Sequence, residues 1–214
     1  MCCCISGEPT EDPTGRLKTF SSQTKFQVGM MEAPCVDSWK SCGWFCGQFM
    51  PCTCGIAQYR LRKNILLDDM TKYSCFQGYF DCCGFFKAGS CGEQSCPDLC
   101  LFLEGCVCNC MAISASRAYV MEKYDLSSDP CDYRLIRINN CLQALACLCS
   151  ILAIFISELR QIARLLSIIA DVFYHTISGC MTAQVAYEQK FQNALENPDL
   201  TTPITGNPIQ DKKF

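Results

Sequence analysis

Histidine is almost missing from this chain: His175 is the single one in 214 residues. A metal site here must therefore be built nearly all from thiolates, and His-dependent catalysis has one place to start. That place is poor, because His175 follows Asp171 by four residues and no recognised motif supplies a nucleophilic Ser or Cys. An i, i+4 pair on a polar helix face is the better reading. C-x2-C spacing is absent as well, which removes the usual thiol-redox signature. No block of five like charges occurs and the net charge is −3, so the footprint of a nucleic-acid binder is lacking. Asn-x-Ser/Thr sites are lacking too, and the opening MCCCISGEPTED has no basic segment followed by an apolar run. The expectation is an intracellular protein without a secretory signal.

Cysteine is what the chain has in excess, 22 residues in all. Half of the sequence is apolar, enough to bury one core without staples, so in a reducing compartment thiols, metal ligands or lipid attachment sites rank ahead of structural disulfides. The spacing is not random. Cys42, Cys46, Cys52 and Cys54 stand in steps of four, six and two, and Cys96, Cys100, Cys106 and Cys108 repeat those steps. A partial third copy is Cys141, Cys147 and Cys149, with Arg137 in the first place. This suggests a duplicated helical unit. Each full copy offers four thiolates for zinc, although C-x-C replaces the usual second ligand pair. The competing reading is that buried thiols act as small hydrophobes between close helices.

Taken in order, Cys2, Cys3 and Cys4 are candidate acylation sites, since two or three acyl chains anchor stably where one does not. Residues 1–34 read as a flexible lead-in, 35–193 as a cysteine-rich helical domain and 194–214 as a tail with Pro198, Pro203 and Pro208. Pro97 and Asp98 mark a helix start. Glu104, inside an apolar run, is either a partnered buried carboxylate or the wet side of its helix.

The clearest helical signal runs from about 134 to 193, without Pro and with Gly179 alone. Gln143, Ser150, Ser157, Arg164, Asp171 and Ser178 recur every seven residues, with apolar positions between them at alternating steps of four and three. One long helix, or two broken near Glu158, is predicted: a rod with a thin polar strip, wrapped elsewhere by protein. Leu152, Ile156, Leu159, Leu166 and Phe173 are its candidate partner-binding residues, toward a protein partner or a second copy. Residues 138–157 carry no formal charge and are long enough to span a membrane, and 165–183 form a weaker second candidate.

Pro51-Cys52, Gly55, Gln58 and Arg60, then Arg117 with Lys123-Tyr124-Asp125-Leu126, Asp129 and Asp132, then Cys180, Ala183-Gln184 and Glu188 resemble the placenta-specific-eight cysteine-rich family. Onzin, cornifelin and the plant cadmium-resistance proteins are members. The chain departs from the pattern in its Pro51-Cys52-Thr53-Cys54 core, in Tyr187 where Arg is common, and in some forty extra residues at about 134–176. The resemblance implies an intracellular protein, often at the plasma membrane, linked to divalent-metal resistance or to control of cell number and size, with no established catalysis. The expectation is an all-α domain of short helices packed on one long C-terminal helix or helical hairpin. It would serve as a non-enzymatic scaffold on the cytoplasmic face of a membrane, plasma membrane favoured, with divalent-metal binding or cation transport as the alternative and zinc as the candidate ion.

Overall fold

The computed structural model describes residues 24–36, 38–49, 51–80, 88–89 and 92–196. Among the described residues the regular structure is helical: α1 Ala33–Val36, α2 Ser38–Cys46, α3 Pro51–Ile65, α4 Pro97–Val107, α5 Asn109–Tyr124, α6 Pro130–Phe155 and α7 Leu159–Glu196, with short 3-10 turns at Met70–Lys72 and Cys75–Gly78. The long C-terminal stretch is thus a hairpin. Its break falls at Ile156, Ser157 and Glu158, where Ile156 leaves the helix in an extended conformation.

Local chemistry accounts for most of the boundaries. Proline occupies the first position of both α4 and α6, where its missing N–H costs nothing, and Asp98 and Asp132 follow in the positive first turns. Helix α5 stops at Asp125, which takes the left-handed conformation (φ 50°) and closes the last turn through its own N–H to the Met121 carbonyl. Leu67 and Asp68, both at positive φ, turn the chain after α3, and Asp69 then caps the next turn by accepting from the Thr71 N–H. Asp68 and Asp69 are therefore a turn and a cap.

The inner half of α7 is the axis of the body. Every residue from Ile177 to Val185 is buried, with Val185 against Leu61 and Ile65 of α3 and Val120 of α5. Met30, Ile113, Ile177 and Cys180 make the adjoining cluster. Each such aliphatic side chain contributes about 1.5–3 kcal/mol by leaving water. Helix contacts are close where side chains are missing. A Cβ on Gly105 would lie 3.0 Å from the Gly55 Cα, and one on Gly55 would strike Cys106 Sγ, so α3 and α4 meet at backbone distance.

The ordered body begins before the expected boundary at 35. Phe26, Met30 and Ala33 are buried, and polar groups of α6 and α7 hold the strap that carries them. The Met30 N–H donates to Asp132 Oδ1 at 3.2 Å, the Gln27 N–H donates to Glu188 Oε2 at 2.9 Å, and Gln184 Nε2 donates to the Val28 carbonyl at 2.9 Å. Cys2, Cys3 and Cys4 lie outside the described residues, as does the tail beyond 196.

Two buried ion pairs rivet the helices. Arg62 of α3 donates to Glu104 of α4 at 3.2 Å, and both side chains are 1% exposed. Glu104 also accepts from Tyr73 Oη at 2.9 Å and from the Phe76 N–H at 3.0 Å, so the open question about this carboxylate resolves to burial with partners. Burial, and then the Glu104 charge, push the Tyr73 hydroxyl well above the usual tyrosine pKa. Arg117 of α5 reaches Asp132 of α6 at 3.0 Å, Gln184 of α7 at 2.7 Å and Ser128 at 2.5 Å. Burial lowers the Arg117 pKa from its ordinary value, and the Asp132 carboxylate opposes that shift. This second cluster sits at the root of the hairpin and fixes how α6 and α7 leave the body.

Candidate membrane-facing hairpin

Beyond the root, α6 and α7 run side by side with almost nothing between them but methyl groups. Ala146 and Ala153 on α6, and Ala163 and Ala170 on α7, are the buried residues of this stretch, each pair seven apart. Small side chains let two helix backbones approach closely. The approach is sealed by Gln143, whose Nε2 donates to the Ala170 carbonyl across the seam at 2.8 Å. Large side chains point the other way. Leu148 is 58% exposed, Ile154 75%, Phe155 81%, Leu165 61% and Ile168 61%. In a helix pair standing in water these positions would be the buried ones.

Helical geometry sorts the remaining surface. With 3.6 residues per turn and the alanines turned inward, Gln143 and Ser150 lie on one flank of α6. Because the helices are antiparallel, Arg160, Arg164 and Asp171 of α7 fall on that same side of the pair. The opposite flank carries Leu145 and Leu152 from α6 with Ile162 and Ile169 from α7, all exposed. The two outward backs carry Leu148 and Phe155, and Leu165, Ile168 and Val172. The hairpin therefore has one polar face and three apolar sides. Residues 138–155 extend about 27 Å at 1.5 Å per residue, close to the roughly 30 Å of a bilayer's hydrocarbon core. Both helices are long and apolar enough to cross a membrane, and protein covers only 22% and 39% of their apolar windows.

A collar of body residues marks where the hairpin emerges. His175 Nδ1 donates to the Gln48 carbonyl at 2.7 Å, which fixes its tautomer, and its ring stacks on Phe49 at 5.8 Å. Asn109 Nδ2 donates to Gln48 Oε1 at 2.9 Å and to Tyr174 Oη at 3.5 Å. The turn after α2 and the 116° bend between α4 and α5 therefore reach α7 at one level, that of Tyr174 and His175. Val107, at the bend, is 72% exposed. His175 is thus held by a backbone carbonyl from α2's end, not by the Asp171 pairing expected from i, i+4 spacing alone.

The partner-binding set divides. Leu152 and Ile156 are exposed on the hairpin and Leu159 and Leu166 are half-buried beside its seam, whereas Phe173 packs against the Met30 and Ile177 cluster and is committed to the body. This chain does not itself wrap the outer half of the rod. A heptad of small residues there brings two helices together and leaves the larger neighbours outside. Ala146, Ala153, Ala163 and Ala170 were the signal for this, and alternating apolar steps of four and three conceal it.

Among the described residues the cysteines do not gather as their spacing suggests. Cys42 and Cys46 lie on the exposed side of α2 with Sγ atoms 3.8 Å apart, a thiol contact and far longer than a disulfide of about 2.05 Å. Cys54 is buried in α3 and donates its S–H to the Gly105 carbonyl at 3.7 Å, and the side chain of Cys52 lies outside the described residues. Cys96 precedes α4 and is exposed, Cys100 and Cys106 ride on α4, and Cys108 forms the bend into α5. The repeated steps of four, six and two consequently occupy different structural positions: a helix ends after Cys46 in the first copy and at Cys108 in the second. Among the described residues no three Cys, His, Asp or Glu side chains come close enough to hold one ion. Cys106 and Cys54 fill the α3–α4 contact instead, the small-hydrophobe role. Set against protein-family models, curated proteins and solved structures, the chain matches none of them.

Proposed function

We propose that this protein is a non-enzymatic scaffold anchored in a membrane by the 138–176 hairpin, with its cysteine-rich helical body held at the surface. The observation that carries this reading is the inversion of the hairpin, alanines inside and large apolar side chains outside, over the length of a bilayer core. Hydrocarbon is the medium in which such a surface is stable. Acylation at Cys2, Cys3 and Cys4 would add a second attachment. Carbonate extraction separates the two. With those three cysteines replaced by Ser the protein is expected to stay in the membrane pellet, and Leu148→Asp with Leu165→Asp is expected to release it. A triple-Ser variant in the supernatant would leave the lipids as the anchor and sink the hairpin.

The body is read as a divergent placenta-specific-eight domain. Arg117, Asp132, Gln184 and Glu188, which carry that resemblance, are the residues that bind strap, α5, α6 and α7 together, which gives each of them a structural task. A second functional reading rests on the polar face. Several copies with Gln143, Ser150, Arg164 and Asp171 turned toward one another would shelter those groups from lipid and line a wet path for cations. Cation flux into proteoliposomes that falls with Asp171→Asn would favour that reading over a passive anchor; flux no greater than in empty vesicles would dismiss it. The thiolate reading is checked by metal analysis of protein purified under reducing conditions, where near-stoichiometric zinc would revive it.

A further inference from the structure

Helix α4 shows the same inversion as the hairpin, on one side only. Its inner face is spent on the body: Leu101, Glu104 and Gly105 are buried, Leu101 against Leu66 and Tyr73 and Glu104 against Arg62. Its outer face is Leu99, Phe102, Leu103 and Val107, all exposed, and Glu104, the single charge between them, is turned inward. Asp98 at the far end accepts from Tyr59 Oη and lies beside Lys63. A helix lying against a body in water carries polar residues on that outer side. The direction of the face follows from α5. Asn109 bonds Tyr174 at the collar, Ile113 shares a cluster with Ile177, Val120 shares one with Val185, and Tyr124 Oη donates to Gln189 at 3.3 Å. Helix α5 therefore runs alongside the inner half of α7, away from the hairpin. The 116° bend at Cys108 then lays α4 closer to the plane across α7 than to its axis, with Val107 at the level of the collar. Leu66 and Tyr73, which cover Leu101, follow the end of α3 remote from the collar, because α3 starts beside it, where Thr53 Oγ1 donates to the Gly47 carbonyl at 2.9 Å. The opposite face of α4 thus looks back toward the hairpin.

We infer that α4 is a second membrane contact, lying in the plane of the interface with Leu99, Phe102, Leu103 and Val107 among the outermost acyl-chain carbons. The inference rests on the membrane reading of the hairpin and adds to it a surface of the body. Lipid is the occupant because this face continues the one that lipid covers on the hairpin. It ends at Val107, two residues from the Asn109 that bonds Tyr174, and Phe49, stacked on His175 at the same level, is exposed too. Crossing is out of reach for α4. Its 11 residues extend about 16 Å at 1.5 Å each, half of the roughly 30 Å of a hydrocarbon core. Helix α5 cannot complete a span, since Ile113, Arg117 and Val120 are buried among other helices. A helix with one apolar face and no reach across lies at the headgroup boundary. Hairpin and α4 together make a two-point attachment that holds the body at a fixed angle to the surface.

The test uses the full-length protein in phosphatidylcholine vesicles brominated either near the headgroup or near the chain ends. It reads the loss of tryptophan emission against the unaltered protein, whose Trp39 and Trp44 set the baseline. Val107→Trp should lose its added emission chiefly to bromine near the headgroup, and Leu148→Trp on the hairpin chiefly to bromine near the chain ends. Leu195→Trp, exposed at the far end of α7, should lose it to neither. Leu103→Trp, on the same face of α4, repeats the measurement where Val107→Trp does not fold. Quenching of Leu148→Trp with none in Val107→Trp or Leu103→Trp would overturn the α4 contact and leave the hairpin in place. Stronger quenching of Val107→Trp by chain-end bromine would overturn it as well, because α4 would then enter the bilayer and not lie along it. Emission shifted to the blue without quenching would show protein covering α4, a second copy or another chain, and would remove lipid as the occupant. If Leu148→Trp is quenched in neither vesicle, the hairpin reading falls and the α4 inference falls with it.

Discussion

The body and the outer hairpin use opposite rules for what goes inside. In the body, the buried set includes Arg62, Glu104, Arg117 and Asp132 alongside Leu61, Ile65 and Val120, and each charge has a partner from another helix. In the hairpin the buried set is alanine and the large apolar side chains face out. Helix α7 passes from one regime to the other without a break, around Tyr174 and His175. One helix can therefore serve two solvents, because its inner half needs neighbours on all sides and its outer half needs only one.

If this contrast is right, the largest effect belongs to the body. Arg117→Ala strands the Asp132 carboxylate without a cation, and urea unfolding should show a loss of about 3–5 kcal/mol, while membrane pelleting of the surviving folded fraction is unchanged. Next comes the hairpin surface. Ile151→Asp should cost about 2.5–3.5 kcal/mol of insertion, read as a shift from membrane to soluble fraction, with the melt of the body unmoved; a destabilised body would mean that Ile151 is covered by protein after all. Ala153→Leu overfills the seam and should cost about 1–3 kcal/mol, appearing as faster hydrogen exchange over 146–170 in detergent and no change over 177–185. Ser150→Ala removes a hydroxyl bonded only to the Ala146 carbonyl of its own helix, and should alter stability by no more than about 0.5 kcal/mol.

Much of the helical organisation was legible in residue order. Prolines at 97 and 130, the break near Glu158 and the seven-residue recurrence of Gln143, Ser150, Arg164 and Asp171 all correspond to features of the folded chain. What residue order could not supply is the identity of the surrounding medium. A heptad of apolar residues pairs helices equally well whether water, protein or lipid lies beyond, and only the packing of Ala146 against its partner helix shows which side chains are left over. The cysteine repeat in the sequence does not become a repeat in the structure, for a related reason. Spacing specifies chemistry only when the same helix geometry underlies each copy, and Pro51 and the bend at Cys108 interrupt the two copies at different points.

The strap at 24–33 has a mechanical consequence. It is fastened by hydrogen bonds to Asp132, Gln184 and Glu188, the very groups that hold the hairpin's root. Phe26 of the same strap is packed among Leu61, Ile65 and Val120. A displacement of the strap would therefore be felt both in the core and at the pivot of the hairpin, gearing the angle at which α6 and α7 leave the domain to the seat of Phe26.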